Sequence, residues 1–282
     1  MKIIHTKQGI KQAAFQHQSQ NKTIGLVPTM GALHSGHLSL VNKSKYNSDF
    51  TVVSIFINPA QFTHAADLDR YPRTLEKDLE KLLQAKVDYV FVPEVDEMYG
   101  TQPQLKFDFF DLETSLEGAF RPGHFNGVGI IVSKLFHIIH PDHVYFGQKD
   151  LQQVAIIRRL VEDLSFMLEI IVTPTMREAD GLAMSSRNTL LNPGERDAAI
   201  ILYDNLQFAK DELLKGLDWF DVKQHVQNRF QVEPLAKLEY FELVKTNTME
   251  LITAVDETVS CSLCTSAFIG NIRLIDNVTV TN

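Results

Sequence analysis

Cysteine is nearly absent. The 282 residues hold two, Cys261 and Cys264, and neither a second pair nor a helix N-terminus accompanies their C-x-x-C spacing. A zinc cage or a dithiol redox centre needs one or the other, so the expectation is two small core residues in a buried strand. Positive charge is also short: 27 Lys and Arg against 35 Asp and Glu leave a net charge of −8. A large nucleic-acid footprint requires a basic face, which argues against tRNA or DNA as the main partner. Any polyanion must be held by a local cluster or with a metal ion. No apolar run reaches the roughly 20 residues of a membrane span. The opening M-K-I-I-H-T-K-Q-G-I lacks the apolar run and cleavage site of a secretory signal. No internal repeat and no low-complexity segment occur. These absences predict a cytoplasmic protein with neither nucleic-acid nor membrane partners.

What is present is an ordinary globular composition, 44% hydrophobic and 22% charged, in a chain long enough for one large domain or two modest ones. Residues 6–20 read as a polar amphipathic helix. Ile24 to Val27, Thr51 to Ile57, Val87 to Val92, His143 to Gly147 and Leu168 to Thr173 read as buried strands, and a continuous apolar run marks a strand covered on both faces. Helices are expected near Arg73 to Gln84, Val128 to Ile139 and Gln148 to Leu164. Residues 64–69 read as a polar loop, and 94–120 as irregular with short strands. Strands alternating with helices predict an α/β fold, a Rossmann-like parallel sheet flanked by helices. From Arg177 the texture changes. Two helices, Pro193 to Lys215 and Asp218 to Arg229, precede strands near 238–244, 259–269 and 272–277. The expected division is a domain of residues 1–178 and a smaller C-terminal α+β lid of residues 179–282.

One stretch organises the rest: T-I-G-L-V-P-T-M-G-A-L-H-S-G-H-L-S-L, Thr23 to Leu40. It reads as strand, turn and helix, which places backbone N–H groups and a positive helix end at the carboxyl edge of a strand. An α/β sheet binds anions there. Gly31 and Gly36 are expected to let the backbone turn sharply, and His34 and His37 to face one ligand. On local physics an anion site and an ordinary turn are level. A metal pair stands behind both, since no third His, Cys or carboxylate sits at a matching offset. The H-x-G-H pattern resembles the signature of the nucleotidylyltransferase superfamily.

Three further segments end at the same expected edge. They are Asn58 to Gln61 with Tyr71-Pro72-Arg73, Gly147-Gln148-Lys149-Asp150 with Gln153, and Met184-Ser185-Ser186-Arg187. The last stands where class I synthetases carry a Lys-Met-Ser-Lys-Ser-like loop. The ordered set also includes Arg121-Pro122-Gly123-His124-Phe125, Asp180-Gly181-Leu182-Ala183 and Arg273-Leu274-Ile275-Asp276-Asn277. Together these residues resemble the pantothenate synthetase (pantoate–β-alanine ligase) family across about residues 23 to 277. Departures are few: Ala66 for an acidic residue, Ile130 for threonine, His137 for asparagine and Met184 for leucine.

The resemblance implies two steps. Pantoate attacks the α-phosphorus of MgATP to give pantoyl adenylate and pyrophosphate, and β-alanine then displaces AMP. It implies ATP contacts from Met30, Gly31, Ala32, Leu33, His34, Ser35, Gly36, His37, Gly147, Gln148, Lys149, Asp150, Met176, Met184, Ser185, Ser186 and Arg187. His34, His37, Lys149, Ser185, Ser186 and Arg187 are the implied catalytic donors, fixed and largely positive, on the phosphates. Gln61, Gln153 and Asn58 are the implied contacts to pantoate and β-alanine. Neutral amides suit that task, since a tight ion pair would blunt the attacking carboxylate. Asp150 is expected on a ribose hydroxyl or a metal-bound water, with no protein metal site, Mg²⁺ and ATP as the small-molecule requirements, and a homodimer as the assembly. The family makes His37 a proton donor. Adenylation by a carboxylate creates no evident proton demand, so charge stabilisation is the simpler account. Arg121 and His124 are expected to cap a loop or form a dimer contact, Tyr71 to pack beside the pocket, and Asp67 and Asp78 to be solvated. Two other readings stay open: another adenylyl-transferring enzyme of the superfamily, and a non-catalytic adenine-nucleotide-binding regulator.

Overall fold

The computed structural model describes residues 1–63, 65–101 and 103–281. His64, in the expected 64–69 loop, and the side chain of Ala66, one of the departures, lie outside the described residues. In chain order the first part contains β1 (Lys2–Ile4), α1 (Lys7–Gln18), β2 (Ile24–Thr29), α2 (Ser35–Asn47), β3 (Phe50–Ile55), α3 (Ala65–Arg70), α4 (Leu75–Gln84), β4 (Tyr89–Phe91), α5 (Val95–Tyr99), α6 (Leu116–Phe120), α7 (His124–Ile139), β5 (His143–Gly147), α8 (Leu151–Asp163) and β6 (Glu169–Thr173). The second part contains α9 (Pro193–Ala198), α10 (Ile201–Leu214), α11 (Trp219–Val232), β7 (Ala236–Lys245), β8 (Cys261–Ile269) and β9 (Ile272–Thr281).

The first six strands form one parallel sheet in the order β1-β4-β3-β2-β5-β6. Alternate residues of each strand feed opposite faces. Leu26 and Val52 pack with Ile10, Phe125, Phe136 and Ile156 of α1, α7 and α8. Their neighbours Val27 and Val53 pack with Leu40, Val41 and Leu82 of α2 and α4. This double cover is why the strands read as unbroken apolar runs. From β2 the chain winds outward through β3 to β4, then returns to β5 on the other side of β2. The order therefore reverses between β2 and β5, and the crevice beyond their carboxyl ends is where such sheets take ligands.

The second sheet is antiparallel, β7-β8-β9, with a core of its own against α10 and α11 through Leu206, Trp219, Val226, Phe241 and Leu263. A third apolar cluster joins the two parts: Leu116, Leu151 and Ala155 from the first meet Tyr240, Val244, Met249 and Cys264 from the second. Cys261 and Cys264 are both buried and free. No helix among the described residues is long and apolar enough to cross a membrane.

Several elements differ from expectation. The sheet gains β1, three residues too short to show a period. Residues 65–70 are helical, and 94–120 hold α5, α6 and a 3₁₀ turn at Phe110–Glu113 instead of strands. The helix expected at Val128 begins at His124, because Gly123 takes a left-handed φ of 82° just before it. The helix expected over Pro193 to Lys215 is two, parted at Ala199 and Ile200.

Candidate active site

The cleft lies at the β2/β5 reversal and encloses about 220 Å³. After β2 the backbone reverses through Gly31 at φ 81° and Ala32 at φ 51°, both in the region that disfavours a side chain. Helix α4 holds this turn. Asp78, fully buried, accepts the Ala32 N–H at 2.8 Å, the Leu33 N–H at 2.7 Å and the Thr74 hydroxyl at 3.2 Å. Lys81 donates to the Leu33 carbonyl. Asp78 is thus an internal clamp, in place of the solvated residue expected. Its position was readable: it falls three residues after Leu75 and four before Leu82, on the apolar face of its helix.

His34 caps α2. Its Nδ1 accepts the Gly36 N–H at 3.1 Å, while the His34 N–H donates to Nδ1 of His37 at 3.3 Å. The ring centroids are 4.1 Å apart. Two helix-terminal N–H groups therefore end on the imidazoles instead of facing the cleft. With each Nδ1 accepting, the proton of each neutral ring sits on Nε2. Burial, then the charge of Lys149, lowers the His34 pKa to about 4. Burial, then His34 itself, holds His37 well below its usual range. The pair is neutral near pH 7, which corrects the reading of these rings as fixed positive donors. Gly36 does not need an unusual φ. A Cβ there would meet the His34 ring at 2.9 Å, so glycine is what lets that ring fold over the helix end.

Asn58 caps the short turn Pro59–Gln61. Its Nδ2 donates to Gln61 Oε1 at 3.2 Å and to the Gly127 carbonyl at 3.1 Å, and its Oδ1 accepts the Ala60 N–H at 3.2 Å and the Tyr99 hydroxyl at 2.5 Å. Every hydrogen-bonding position of this buried amide is taken inside the protein. Asn58 therefore positions Gln61, whose Nε2 lies 2.9 Å from Met30 Sδ. His124 Nδ1 donates to the Gln61 carbonyl at 2.7 Å, and its Nε2 accepts from Arg121 at 3.2 Å. Burial, then Arg121, lowers the His124 pKa to about 4.

From β5, Gly147 leads into a 3₁₀ turn over Gln148–Asp150. Lys149 Nζ is 3.5 Å from Asp150 Oδ1. Strand β9 grips this turn from behind: Asn277 donates to the carbonyls of Gln148 and Lys149 at 3.0 and 2.8 Å, and Gln148 donates to Thr279 at 2.8 Å. The last wall comes from the loop before α9. The Ser185 hydroxyl accepts the Arg187 N–H at 3.2 Å, Ser186 Oγ is 3.3 Å from the Tyr71 hydroxyl, and Arg187 pairs with Asp67 at 3.0 Å. Asp67 is thus ion-paired rather than simply solvated.

Met30, His34, Gly36, His37, Asn58, Gln61, Gly147, Lys149, Asp150, Gln153, Met176, Met184, Ser185, Ser186 and Arg187 all line the one cleft. Gly31, Ala32, Leu33, Ser35 and Gln148 do not line it; they shape its walls from behind. Tyr71, Arg121 and His124 do line it. Arg121 and His124 cap the Pro59–Gln61 turn through the Gln61 carbonyl, as one of the two expectations had it, and they also face the cleft. Four loops, far apart in sequence, meet around this cleft.

The family model for pantoate–β-alanine ligase matches residues 2–279. A pantothenate synthetase of Acetivibrio thermocellus is 46% identical over 281 residues, covering 99% of each chain. One from Bacteroides thetaiotaomicron is 43% identical, covering 99% of this chain and 98% of the other. Among solved structures, the pantothenate synthetase of Thermus thermophilus superposes with a TM-score of 0.93 at 36% identity over the whole of both chains. The chain belongs to the pantoate–β-alanine ligase family. It is accordingly an ATP-dependent ligase joining pantoate to β-alanine. A pantoate–β-alanine ligase of Francisella tularensis, 34% identical with a TM-score of 0.80 over 99% of this chain and 98% of its own, was solved with a β,γ-ATP compound and β-alanine. In this family member Asp78 and Lys81 hold the turn after β2, and Asn58 holds the cleft-lining Gln61.

Proposed function

We propose that the ligation runs through pantoyl adenylate, with MgATP as the activating substrate. A carboxylate oxygen of pantoate attacks the α-phosphorus, the bond to the β-phosphate oxygen breaks, and pyrophosphate leaves. The β-alanine nitrogen then attacks the acyl carbon, the bond to the phosphate oxygen breaks, AMP departs, and the nitrogen loses a proton. The observation that carries this reading is the convergence of His34, His37, Lys149, Ser185, Ser186 and Arg187 on one cleft with Gln61 and Gln153.

Charge builds on the α-phosphate and the leaving pyrophosphate in the first step, and fixed donors there lower the barrier. Lys149 supplies full positive charge, His34 and His37 supply neutral Nε2–H groups, and Ser185, Ser186 and Arg187 take the β,γ end once Arg187 exchanges Asp67 for phosphate. Gln61 and Gln153 orient pantoate without neutralising its carboxylate. A neutral His37 is a poor acid, which favours charge stabilisation over proton donation. Among the described residues no group of three His, Cys, Asp or Glu side chains could hold a metal alone. Mg²⁺ commonly rides on substrate phosphates with one or two carboxylates, and Asp150 lines the cleft for that role.

In this reading residues 1–178 bind nucleotide and pantoate, and 179–282 close over them carrying Ser185 to Arg187. An acyl adenylate hydrolyses readily, so exclusion of water has a purpose. A homodimer and a cytoplasmic location complete the proposal. Exposed Leu105, Phe110 and Phe120 are apolar side chains that such an assembly could cover, and free thiols at Cys261 and Cys264 suit a reducing compartment.

The test is pantoate-dependent exchange of labelled pyrophosphate into ATP without any amine, followed by AMP release when β-alanine is added. Exchange driven only by a phosphorylated acceptor indicates adenylyl transfer of another kind, and none at all indicates a nucleotide-binding regulator. Lys149→Ala should fold normally and lose exchange by about 10²–10³-fold. Near-wild-type exchange in that variant removes Lys149 from the mechanism.

A further inference from the structure

We propose that Arg121 receives the carboxylate of β-alanine and so decides which amines the site accepts; this rests on the ligase reading above. The second substrate is a zwitterion. Its nitrogen does the chemistry, but its carboxylate must also shed water on entering the cleft, and that is costly unless a cation receives it. Among the described residues, three with full positive charge line the cleft: Arg121, Lys149 and Arg187. The lining imidazoles of His34 and His124 are neutral near pH 7, each with its pKa lowered to about 4, and His37 follows the same direction.

Lys149 and Arg187 belong to the two loops assigned to the phosphates, and each already faces a carboxylate, Asp150 at 3.5 Å and Asp67 at 3.0 Å. Arg121 belongs to a different wall. Its guanidinium is 3.5 Å from the Gln61 carbonyl and 3.2 Å from His124 Nε2, beside the amide assigned to pantoate. A carboxylate held there leaves the amine two methylenes away, within reach of an acyl carbon held by Gln61.

The contacts of Arg121 hold its guanidinium loosely. Its nearest carboxylate is Glu117 at 3.5 Å. Glu117 already takes both arms of Arg273, at 2.8 and 2.7 Å, and the Tyr240 hydroxyl at 2.9 Å. A half-buried structural arginine in the same protein looks different: Arg177 grips Asp276 through both arms at 2.7 and 3.0 Å, and donates to the Gly181 and Asn277 carbonyls at 2.9 and 3.0 Å. Arg121 has five N–H donors and, among the described residues, three side-chain polar contacts, all of 3.2 Å or longer. Its side chain is 17% exposed, so a pair formed there is weakly screened. A planar fork with spare donors matches a carboxylate in both geometry and charge.

The experiment compares β-alanine with β-alaninamide, which keeps the amine and the spacing but lacks the negative charge. Loss of a hydrogen-bonded charge contact should raise KM for β-alanine about 10- to 100-fold in Arg121→Gln, with little change for β-alaninamide. Arg121→Lys, which keeps charge without the fork, should recover part of the preference, and it carries the test alone should Arg121→Gln fail to fold. Pantoate-dependent ATP–pyrophosphate exchange, which needs no amine, reports the first step in the same variants. The loss in kcat/KM for β-alanine should exceed any loss in exchange by about tenfold or more. Equal losses for the two amines, or exchange falling as far as β-alanine turnover, would overturn the proposal and assign Arg121 to pantoate or phosphate. Wild-type protein without exchange sinks the ligase reading itself, a result separate from either.

Discussion

His34 shows how far a side chain's chemistry is set by its surroundings. The residue type suggests a charge switch near neutrality, yet burial and Lys149 keep the ring neutral down to about pH 4. His124 behaves alike. A histidine with a folded-state pKa below its unfolded value binds more protons when unfolded. Stability should therefore fall as pH drops from about 6.5 toward 4. Urea titrations across that window should show the slope, and His34→Asn should flatten it; an unchanged slope would mean that the ring titrates freely in the folded protein. Residue identity was legible for His34, His37, Lys149 and the Ser185 loop, since their spacing is local. The surroundings of Arg121 were not legible, because they depend on Glu117 being occupied by Arg273, 156 positions further along the chain.

At the scale of elements, α4 does for the turn after β2 what no residue of that turn can do alone. Two positive-φ residues in succession, Gly31 and Ala32, are unfavourable unless their neighbours are held. Asp78 holds them by accepting two consecutive N–H groups. Asp78→Ala leaves both buried donors unpaired, so it should cost about 3 kcal/mol of unfolding free energy and raise KM for ATP. Chemical denaturation together with exchange kinetics checks this; a stability loss without any change in KM would limit α4 to a scaffold role. Long elements with a buried face were readable because apolar periodicity repeats over several turns. The misread elements are short: β1 spans three residues, and α5 and α6 five each. Elements of that length are fixed by what they pack against rather than by a pattern of their own.

On the scale of the whole molecule, the two parts meet through an apolar seam and several ion pairs, of which the knot around Glu117 is the most connected. Glu117 from α6 is clasped by Arg273 of β9, by the Tyr240 hydroxyl of β7 and, more loosely, by Arg121 of the cleft. Arg273 also pairs with Glu239. Burial would raise the Glu117 carboxyl, but the Arg273 fork outweighs it and holds the pKa at about 2. A carboxylate depressed on folding adds stability above its unfolded pKa, near 4.5, which is lost as pH falls toward 2. Breaking one side of such a pair is costly, so Glu117→Gln should lose about 3 kcal/mol at pH 7, and adding Arg273→Met should restore part of that. Thermal unfolding of the single and double variants reads this out; a double variant no more stable than Glu117→Gln would deny the coupling.

The sequence by itself determined the α/β architecture, the strand-turn-helix at Thr23 to Leu40 and most of the cleft-lining residues, because periodicity, turn chemistry and motif spacing act over a few residues at a time. Only the tertiary structure decided that the imidazoles are neutral, that Asn58 and Asp78 are framework, and that Arg121 faces the cleft with donors to spare. Those properties come from desolvation and from partners contributed by distant strands and helices, and neither exists until the chain has folded.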